Sequence, residues 1–269
     1  MTEHLDINLK LSGDGWASLH GFSYLWESEE SRFVGHSRGY GRLSSASTGL
    51  FAAMARLGAK FDALLGNRGF RALPPPSYHS TYRDGLCSLD LPLLPAISRG
   101  KIARLLDALP ASLERVRTVL APLSPGEIIE PICMRAKDLR IFGRDAIVVT
   151  LQAADPVSEQ NLAVLTTRRS QEHAQWCVKY GKPQGPPFTP HISLGYALDG
   201  GLAAALEGEE RSTSGLPTFD QLREITRETL AYDTLTFTAF ALYAFVDMAT
   251  FMRPLAPNGS SSVVVSTAP

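Results

Sequence analysis

PPPSYHSTYRDGL, at residues 74–86, and FTPHISLGYAL, at residues 188–198, share a local pattern. Each contains a histidine followed two positions later by a hydroxyl side chain, in His79-Ser80-Thr81 and in His191-Ile192-Ser193. Each motif follows a proline-containing loop and lies in a run that predicts a β-strand. A predicted helix and strand also precede each motif. This repeated context favours a duplicated half over two chance matches.

The spacing within each motif has a chemical consequence. Side chains at positions i and i+2 of a strand project from the same face, so each strand presents an imidazole and a hydroxyl together. If the two faces meet, one histidine can deprotonate a nucleophile while the other protonates the leaving oxygen of a phosphodiester. Imidazole has an unperturbed pKa of about 6.5, so we expect one free base and one cationic ring near neutral pH.

The paired motifs resemble those of the two-histidine phosphoesterases, whose hallmark is two H-x-[ST] strand motifs in two pseudo-symmetric lobes. That superfamily includes RNA ligase-like 2′,3′-cyclic phosphodiesterases, and both stretches look similar to a bacterial and fungal subfamily of unassigned function. The resemblance extends from about residue 19 to residue 251. It implies that His79 and His191 are the acid/base pair and that Thr81 and Ser193 bind the phosphate. The family usually has a hydrophobic residue inside the motif, and Ser80 departs from this pattern.

Arg83 is a further candidate for binding the substrate phosphate. It lies four positions after His79, so regular alternation along the strand predicts that the two share a face. The alternative is an exposed arginine at the strand end, before a turn predicted at Asp84-Gly85. The pair Arg168-Arg169 favours a solvated helix face instead.

The predicted fold class is α+β, with two similar lobes that are each an antiparallel sheet with outer helices. The active-site cleft is expected between the lobes. We expect an N-terminal segment over residues 1–18, a bilobal domain over 19–253 and a disordered tail over 254–269. Strands are predicted at 19–26, 127–139, 146–153 and 234–246, helices at 50–65, 102–120 with a break at Pro110, 157–179 and 218–229, and a Gly/Ser loop at 35–49.

Composition excludes several classes of protein. The 269 residues carry 26 Lys and Arg against 27 Asp and Glu, a formal net charge of −1. No global field therefore favours DNA, RNA or an acidic membrane. The three cysteines, Cys87, Cys133 and Cys177, show no disulfide or metal-ligand spacing, which indicates a reducing compartment. With no signal-peptide pattern near Met1, we expect a cytoplasmic protein.

The resulting hypothesis is a metal-independent phosphodiesterase without cofactors. Its substrate would be a cyclic or linear phosphodiester, first of all the 2′,3′-cyclic phosphate of an RNA end or nucleotide. We expect a monomer that contacts neither membranes nor DNA. Two alternatives stay open: a catalytically silent RNA- or nucleotide-binding module, and an RNA ligase that joins 2′,3′-cyclic phosphate ends.

Overall fold

The computed structural model describes residues 10–12, 15–28, 31–36, 40–45, 48–120, 126–143, 145–181, 187–198, 202, 204, 206 and 217–254. Its strands are β1 Leu11–Ser12, β2 Gly15–Trp16, β3 Gly21–Ser28, β4 Ser31–His36, β5 Tyr40–Ser45, β6 Phe70–Ala72, β7 Thr81–Cys87, β8 Gly126–Phe142, β9 Ala146–Ala153, β10 His191–Ala197, β11 Thr234–Asp247 and β12 Thr250–Pro254. Its helices are α1 Gly49–Leu65, α2 Ala96–Asp107, α3 Leu113–Leu120, α4 Pro156–Tyr180 and, as labelled here, α5 Phe219–Leu230.

Ten of these strands form one antiparallel sheet with two halves. One half contains β8, β9, β10 and β6, and the other contains β3 and β7 together with β11, β12, β5 and β4. Strand β11 joins the halves because it pairs with β8 through Thr234–Ala241 and with β3 through Phe237–Phe245. The predicted α+β class with two antiparallel halves is therefore confirmed, although the halves are continuous through β11.

The helices pack against this sheet as their apolar periodicity predicts. In α1 the side chains that recur at helical spacing are all buried: Leu50, Met54, Leu57, Phe61 and Leu65. Helix α1 packs against α5 and strands β6 and β10, whereas α4 crosses β8, β9 and β7. The predicted interruption at Pro110 separates α2 from α3. At α5 the predicted capping box is formed by Thr218 and Gln221.

The prediction of a Gly/Ser loop at residues 35–49 is wrong for residues 35–36 and 40–45, which belong to strands β4 and β5. Strands β4 and β5 form an antiparallel hairpin there, with Phe33 opposite Leu43 and Gly35 opposite Gly41. Strand β5 also pairs with β12, for example Arg42 with Met252. Partners from the far end of the chain therefore impose strand structure on residues whose local composition favours a loop.

The turn expected at Asp84-Gly85 is also wrong, since β7 continues through both residues to Cys87. A Cβ at Gly85 would lie only 2.2 Å from the Phe22 carbonyl oxygen on neighbouring β3. The glycine is therefore needed for close approach of two strands rather than for a turn.

Residues near the start of the chain pack on the sheet. Lys10 forms an ion pair with Asp145 at 3.2 Å and lies over the Tyr196 ring, while Trp16 contacts the edge of that ring. At the other end, Pro254 pairs with Tyr40, and the rest of the expected tail lies outside the described residues. In the described part of the chain, no helix has the length and apolar character that crossing a membrane requires.

Candidate active site

The two histidine motifs meet where the halves of the sheet adjoin. Ser80 and Ile192 form an antiparallel β-bridge between the start of β7 and β10. Because the two segments run antiparallel, the residue after Ser80 lies opposite the residue before Ile192, and the reverse also holds. Thr81 therefore lies alongside His191, and His79 alongside Ser193. Ser80 and Ile192 are only 1% and 0% exposed and point into the core. The histidines and hydroxyls of both motifs consequently share the opposite face.

Both imidazoles are held in the same way. The Nδ1 atom of His79 lies 2.8 Å from the Ser77 carbonyl oxygen, and that of His191 lies 2.9 Å from the Thr189 carbonyl oxygen. A carbonyl can only accept, so each Nδ1 carries the proton and each Nε2 is left as the reactive nitrogen. The ring of Phe251 packs against the His79 ring, with the ring centres 4.1 Å apart. The ring of Phe142 packs against the His191 ring, with the ring centres 4.8 Å apart.

The environment lowers the pKa of both histidines. Burial, with a smaller contribution from the charge of His191, lowers the pKa of His79 to about 4. The hydrogen bond to Ser77 and the charge of Asp84 act in the opposite direction and raise this pKa. Burial also lowers the pKa of His191, and the positive charges of Arg169 and Lys10 add to this. Both shifts favour the neutral form of the ring near neutral pH, against the expectation that one ring is cationic there.

Ser80 offers a test of how this junction is packed. Its buried Oγ has no hydrogen-bond partner among the described residues, and an unpaired buried hydroxyl costs about 1–3 kcal/mol. We expect Ser80→Ala to raise the midpoint of thermal unfolding by about 2–4 °C. As a matched control, Ser112→Ala should lower it, because the equally buried Ser112 hydroxyl donates to the Leu105 carbonyl. A lower midpoint for Ser80→Ala would show that its hydroxyl is satisfied.

Arg83 does not lie where regular alternation predicts. Thr81 pairs with Leu25 and Arg83 pairs with Tyr24, so Tyr82 is an extra residue in β7, a β-bulge. The bulge turns Arg83 toward α4, where its guanidinium lies 2.9 Å from Glu172 and over the Tyr24 ring. The prediction that Arg83 shares the face of His79 is wrong, because one inserted residue inverts the alternation.

Asp84 occupies the histidine face instead. It pairs with Ser23 on β3, which lies on the same face as Leu25 and Thr81. Its exposed carboxylate raises the pKa of His79 and of His191. On β7, the charged side chain that faces the two imidazoles is therefore the carboxylate of Asp84, and not the predicted guanidinium of Arg83.

The predicted solvated face at Arg168-Arg169 holds for Arg168 alone. Arg168 binds Glu127 and Glu172 at 2.7 and 2.9 Å. Arg169 is only 8% exposed, its Nε donates to the Tyr82 carbonyl, and its guanidinium stacks on Phe188 at 4.2 Å.

Arg169 is therefore anchored on both motif segments, since Tyr82 follows Thr81 and Phe188 precedes His191. Burial lowers its pKa, and no carboxylate lies within ion-pair distance of it in the described part of the chain. The helical spacing of the sequence could have indicated that Arg169 is buried. Arg169 lies four residues after buried Leu165, on the same side of α4 as Trp176 and Tyr180.

No family model and no curated protein matches the chain. Among solved structures, a conserved protein of unknown function from Agrobacterium tumefaciens, ATU0111, is similar over 94% of this chain and 90% of its own, with 12% identity and a TM-score of 0.51. LigT from E. coli, complexed with 3′-AMP, is 15% identical over 88% and 96% of the two chains, with a TM-score of 0.39. A protein described as a phosphoesterase is 16% identical over 88% and 95%, with a TM-score of 0.40.

The two halves of the sheet and the H-x-[ST] pair at their junction have the arrangement that the sequence resemblance implies. The chain shares its fold with ATU0111. At this junction the site brings together two Nε2 atoms and the hydroxyls of Thr81 and Ser193. The buried cation of Arg169 is near enough to lower the pKa of His191. Such a set can move two protons and hold an anion. Within the described residues, no group of three or more His, Cys, Asp or Glu side chains is placed to hold a metal ion.

Proposed function

We propose that this protein is a phosphodiesterase that opens 2′,3′-cyclic phosphates of nucleotides or RNA ends by two-histidine acid/base catalysis without a metal. The Ser80–Ile192 bridge carries the proposal, because it sets two imidazoles with identically held Nδ1 atoms on one face. Acid/base catalysis needs two titratable groups within reach of the same substrate.

The reaction uses each group in a separate task. The Nε2 of one histidine removes a proton from water as the water oxygen attacks phosphorus. The bond from phosphorus to one ribose oxygen breaks, and the second histidine donates its Nε2 proton to that oxygen. Thr81, Ser193 and Arg169 hold the non-bridging oxygens, which carry the negative charge. The product is a phosphomonoester on ribose, and proton exchange with water restores both rings.

The lowered pKa values give the reaction a pH signature. The histidine that acts as the acid must carry a proton, but the lowered pKa values favour neutral rings at pH 7. The free enzyme is therefore active only at pH values at which one of the two rings is protonated. Protonation of the base lowers kcat/KM at the acid limb, and deprotonation of the acid lowers it at the alkaline limb. We therefore expect a bell-shaped kcat/KM profile with its maximum between about pH 4, near the His79 pKa, and pH 6.5, the unperturbed histidine value.

The bound phosphate should then shift this profile. An anion beside the rings favours the imidazolium form, so the kcat profile, which reports the enzyme–substrate complex, should lie at higher pH than the kcat/KM profile. Steady-state rates from pH 4 to 9 measure both. A kcat/KM maximum above pH 7.5, or a flat profile, would contradict the assignment.

The test of the proposed function is turnover of 2′,3′-cyclic nucleotides, 3′,5′-cyclic nucleotides and short RNAs with a 2′,3′-cyclic phosphate end, all in the presence of EDTA. Wild type should hydrolyse the 2′,3′-cyclic substrates, His191→Ala should not, and His20→Ala should match wild type because His20 contacts Ser18 outside the site. Loss of activity with EDTA and recovery with a divalent ion would overturn the metal-free mechanism. Absence of turnover on every substrate would overturn the proposed function.

A further inference from the structure

A basic groove lies beside the candidate active site, between strands β8 and β9 and helix α5. It encloses about 380 Å³. The residues that line it are Arg135, Ala136, Lys137, Asp138, Leu139, Gln152, Arg223, Thr226, Arg227, Leu230 and Ala231.

The groove exists because one edge of β8 changes partner. Strand β11 begins at Thr234, opposite Arg135, and pairs with the earlier part of β8. Beyond Arg135, β8 pairs with β9 on its other side, up to Phe142 opposite Ala146. Within the described part of the chain, no strand pairs with this section of β8 on the β11 side, where α5 leads into β11.

The groove is positively charged although the whole chain has a formal net charge of −1. Its lining contains four cations, Arg135, Lys137, Arg223 and Arg227, and the single carboxylate of Asp138. That carboxylate is already shared, at 2.9 Å from Arg140 and 3.3 Å from Arg223. Arg223 also pairs with Asp220, and Arg227 pairs with Glu224, so Arg135 and Lys137 are the lining cations without a carboxylate partner among the described residues. Lys137 is exposed and makes no ion pair or hydrogen bond with any described residue.

The strand register shows how far this groove lies from the histidine face. Asp138 pairs directly with Thr150, and Thr150 pairs directly with His191. Directly paired side chains of a sheet lie on the same face, and neighbouring strands are about 4.8 Å apart. The groove therefore borders the histidine face at a distance of about 10 Å, two strand spacings from His191.

We propose that the groove binds the phosphate backbone of an RNA strand whose 2′,3′-cyclic phosphate end lies at His79 and His191. This inference rests on the proposed function and names the substrate as an RNA end rather than a mononucleotide. A groove that carries an excess of positive charge, here from Arg135 and Lys137, binds backbone phosphates without reading base sequence. The strand must be RNA at its end, since a cyclic phosphate needs the ribose 2′-oxygen.

The experiment compares a 2′,3′-cyclic mononucleotide with a short oligoribonucleotide that carries the same nucleotide at its cyclic end. Wild type should show a kcat/KM about tenfold or more higher on the oligonucleotide. Lys137→Glu should remove most of that advantage and leave mononucleotide turnover unchanged, because Lys137 contacts neither motif. Lys101→Glu, the same charge reversal at an exposed position on α2, is the matched control and should behave as wild type.

A binding measurement separates failure of this inference from failure of the proposed function. Fluorescence anisotropy with a labelled oligoribonucleotide ending in a 3′-phosphate needs no turnover. Affinity should fall in Lys137→Glu, and the slope of log K against log salt should become shallower by about one. Equal affinity of wild type and Lys137→Glu, or equal kcat/KM of wild type on both substrates, would overturn the groove assignment while cyclic nucleotide turnover still stands.

Discussion

Replacing His79 or His191 by alanine should lower kcat for a 2′,3′-cyclic phosphate by about 10²–10⁴-fold, the usual contribution of a positioned acid or base. Each ring is held by one carbonyl through Nδ1, so its Nε2 is the nitrogen available for proton transfer. The KM should change far less, because Thr81, Ser193 and Arg169 keep their places around the phosphate. Single-turnover kinetics on the purified variants measures the chemical step directly.

The double variant gives the sharper result. If the two rings act in one concerted step, removal of the second should cost little once the first is lost, so the double variant should be close to the slower single variant. Multiplicative losses would indicate two independent roles and contradict the acid/base pair. Because both rings are partly buried, a thermal midpoint within a few degrees of wild type is required of each variant, and His79→Gln provides a substitution closer in size.

Arg169→Gln should lower kcat/KM by about 10²-fold, the effect of removing one preorganised donor to a charged transition state. The arginine contacts the Tyr82 carbonyl and the Phe188 ring, so it is fixed beside both motifs before substrate arrives. Its pKa is lowered by burial, and a phosphate would supply the partner charge that the described residues do not bring within ion-pair distance. Arg169→Lys should recover part of the loss, since lysine keeps the charge but not the planar fork.

Two further readouts distinguish this role from a structural one. Arg169 lowers the pKa of His191, so Arg169→Gln should move the corresponding limb of the kcat/KM profile to higher pH. Arg168→Gln, one position away on α4 and bound to Glu127 and Glu172, should leave the profile in place. An unshifted limb in Arg169→Gln, with activity lost only in proportion to stability, would show that Arg169 merely supports the fold.

Much of the architecture follows from local periodicity. The apolar spacing in α1 and the two short strands at the histidine motifs, which begin at Thr81 and at His191, are properties of a few neighbouring residues, and the structure agrees with them. The hairpin at β4 and β5 could not be predicted in this way. Its residues include several glycines and serines, and β5 becomes a strand because β12 pairs with it from the far end of the chain, while β4 pairs with β5.

The candidate site shows the same division. The H-x-[ST] spacing puts an imidazole and a hydroxyl on one side of each strand, because the side-chain period of a strand is two residues. That geometry is local, and the sequence is sufficient for it. The bulge at Tyr82 is not local: it depends on how β7 pairs with β3, and it exchanges Arg83 for Asp84 on the histidine face.

Burial and pairing across the fold account for the rest. The pKa of His79 and the role of Arg169 depend on which groups surround them, and those groups come from α4, β10, β12 and the loop before His191. Dihedral preferences and side-chain period can be read along a chain, since they involve neighbours in sequence. Desolvation and charge are sums over neighbours in space, and these exist only once the two halves of the sheet have met at Ser80 and Ile192.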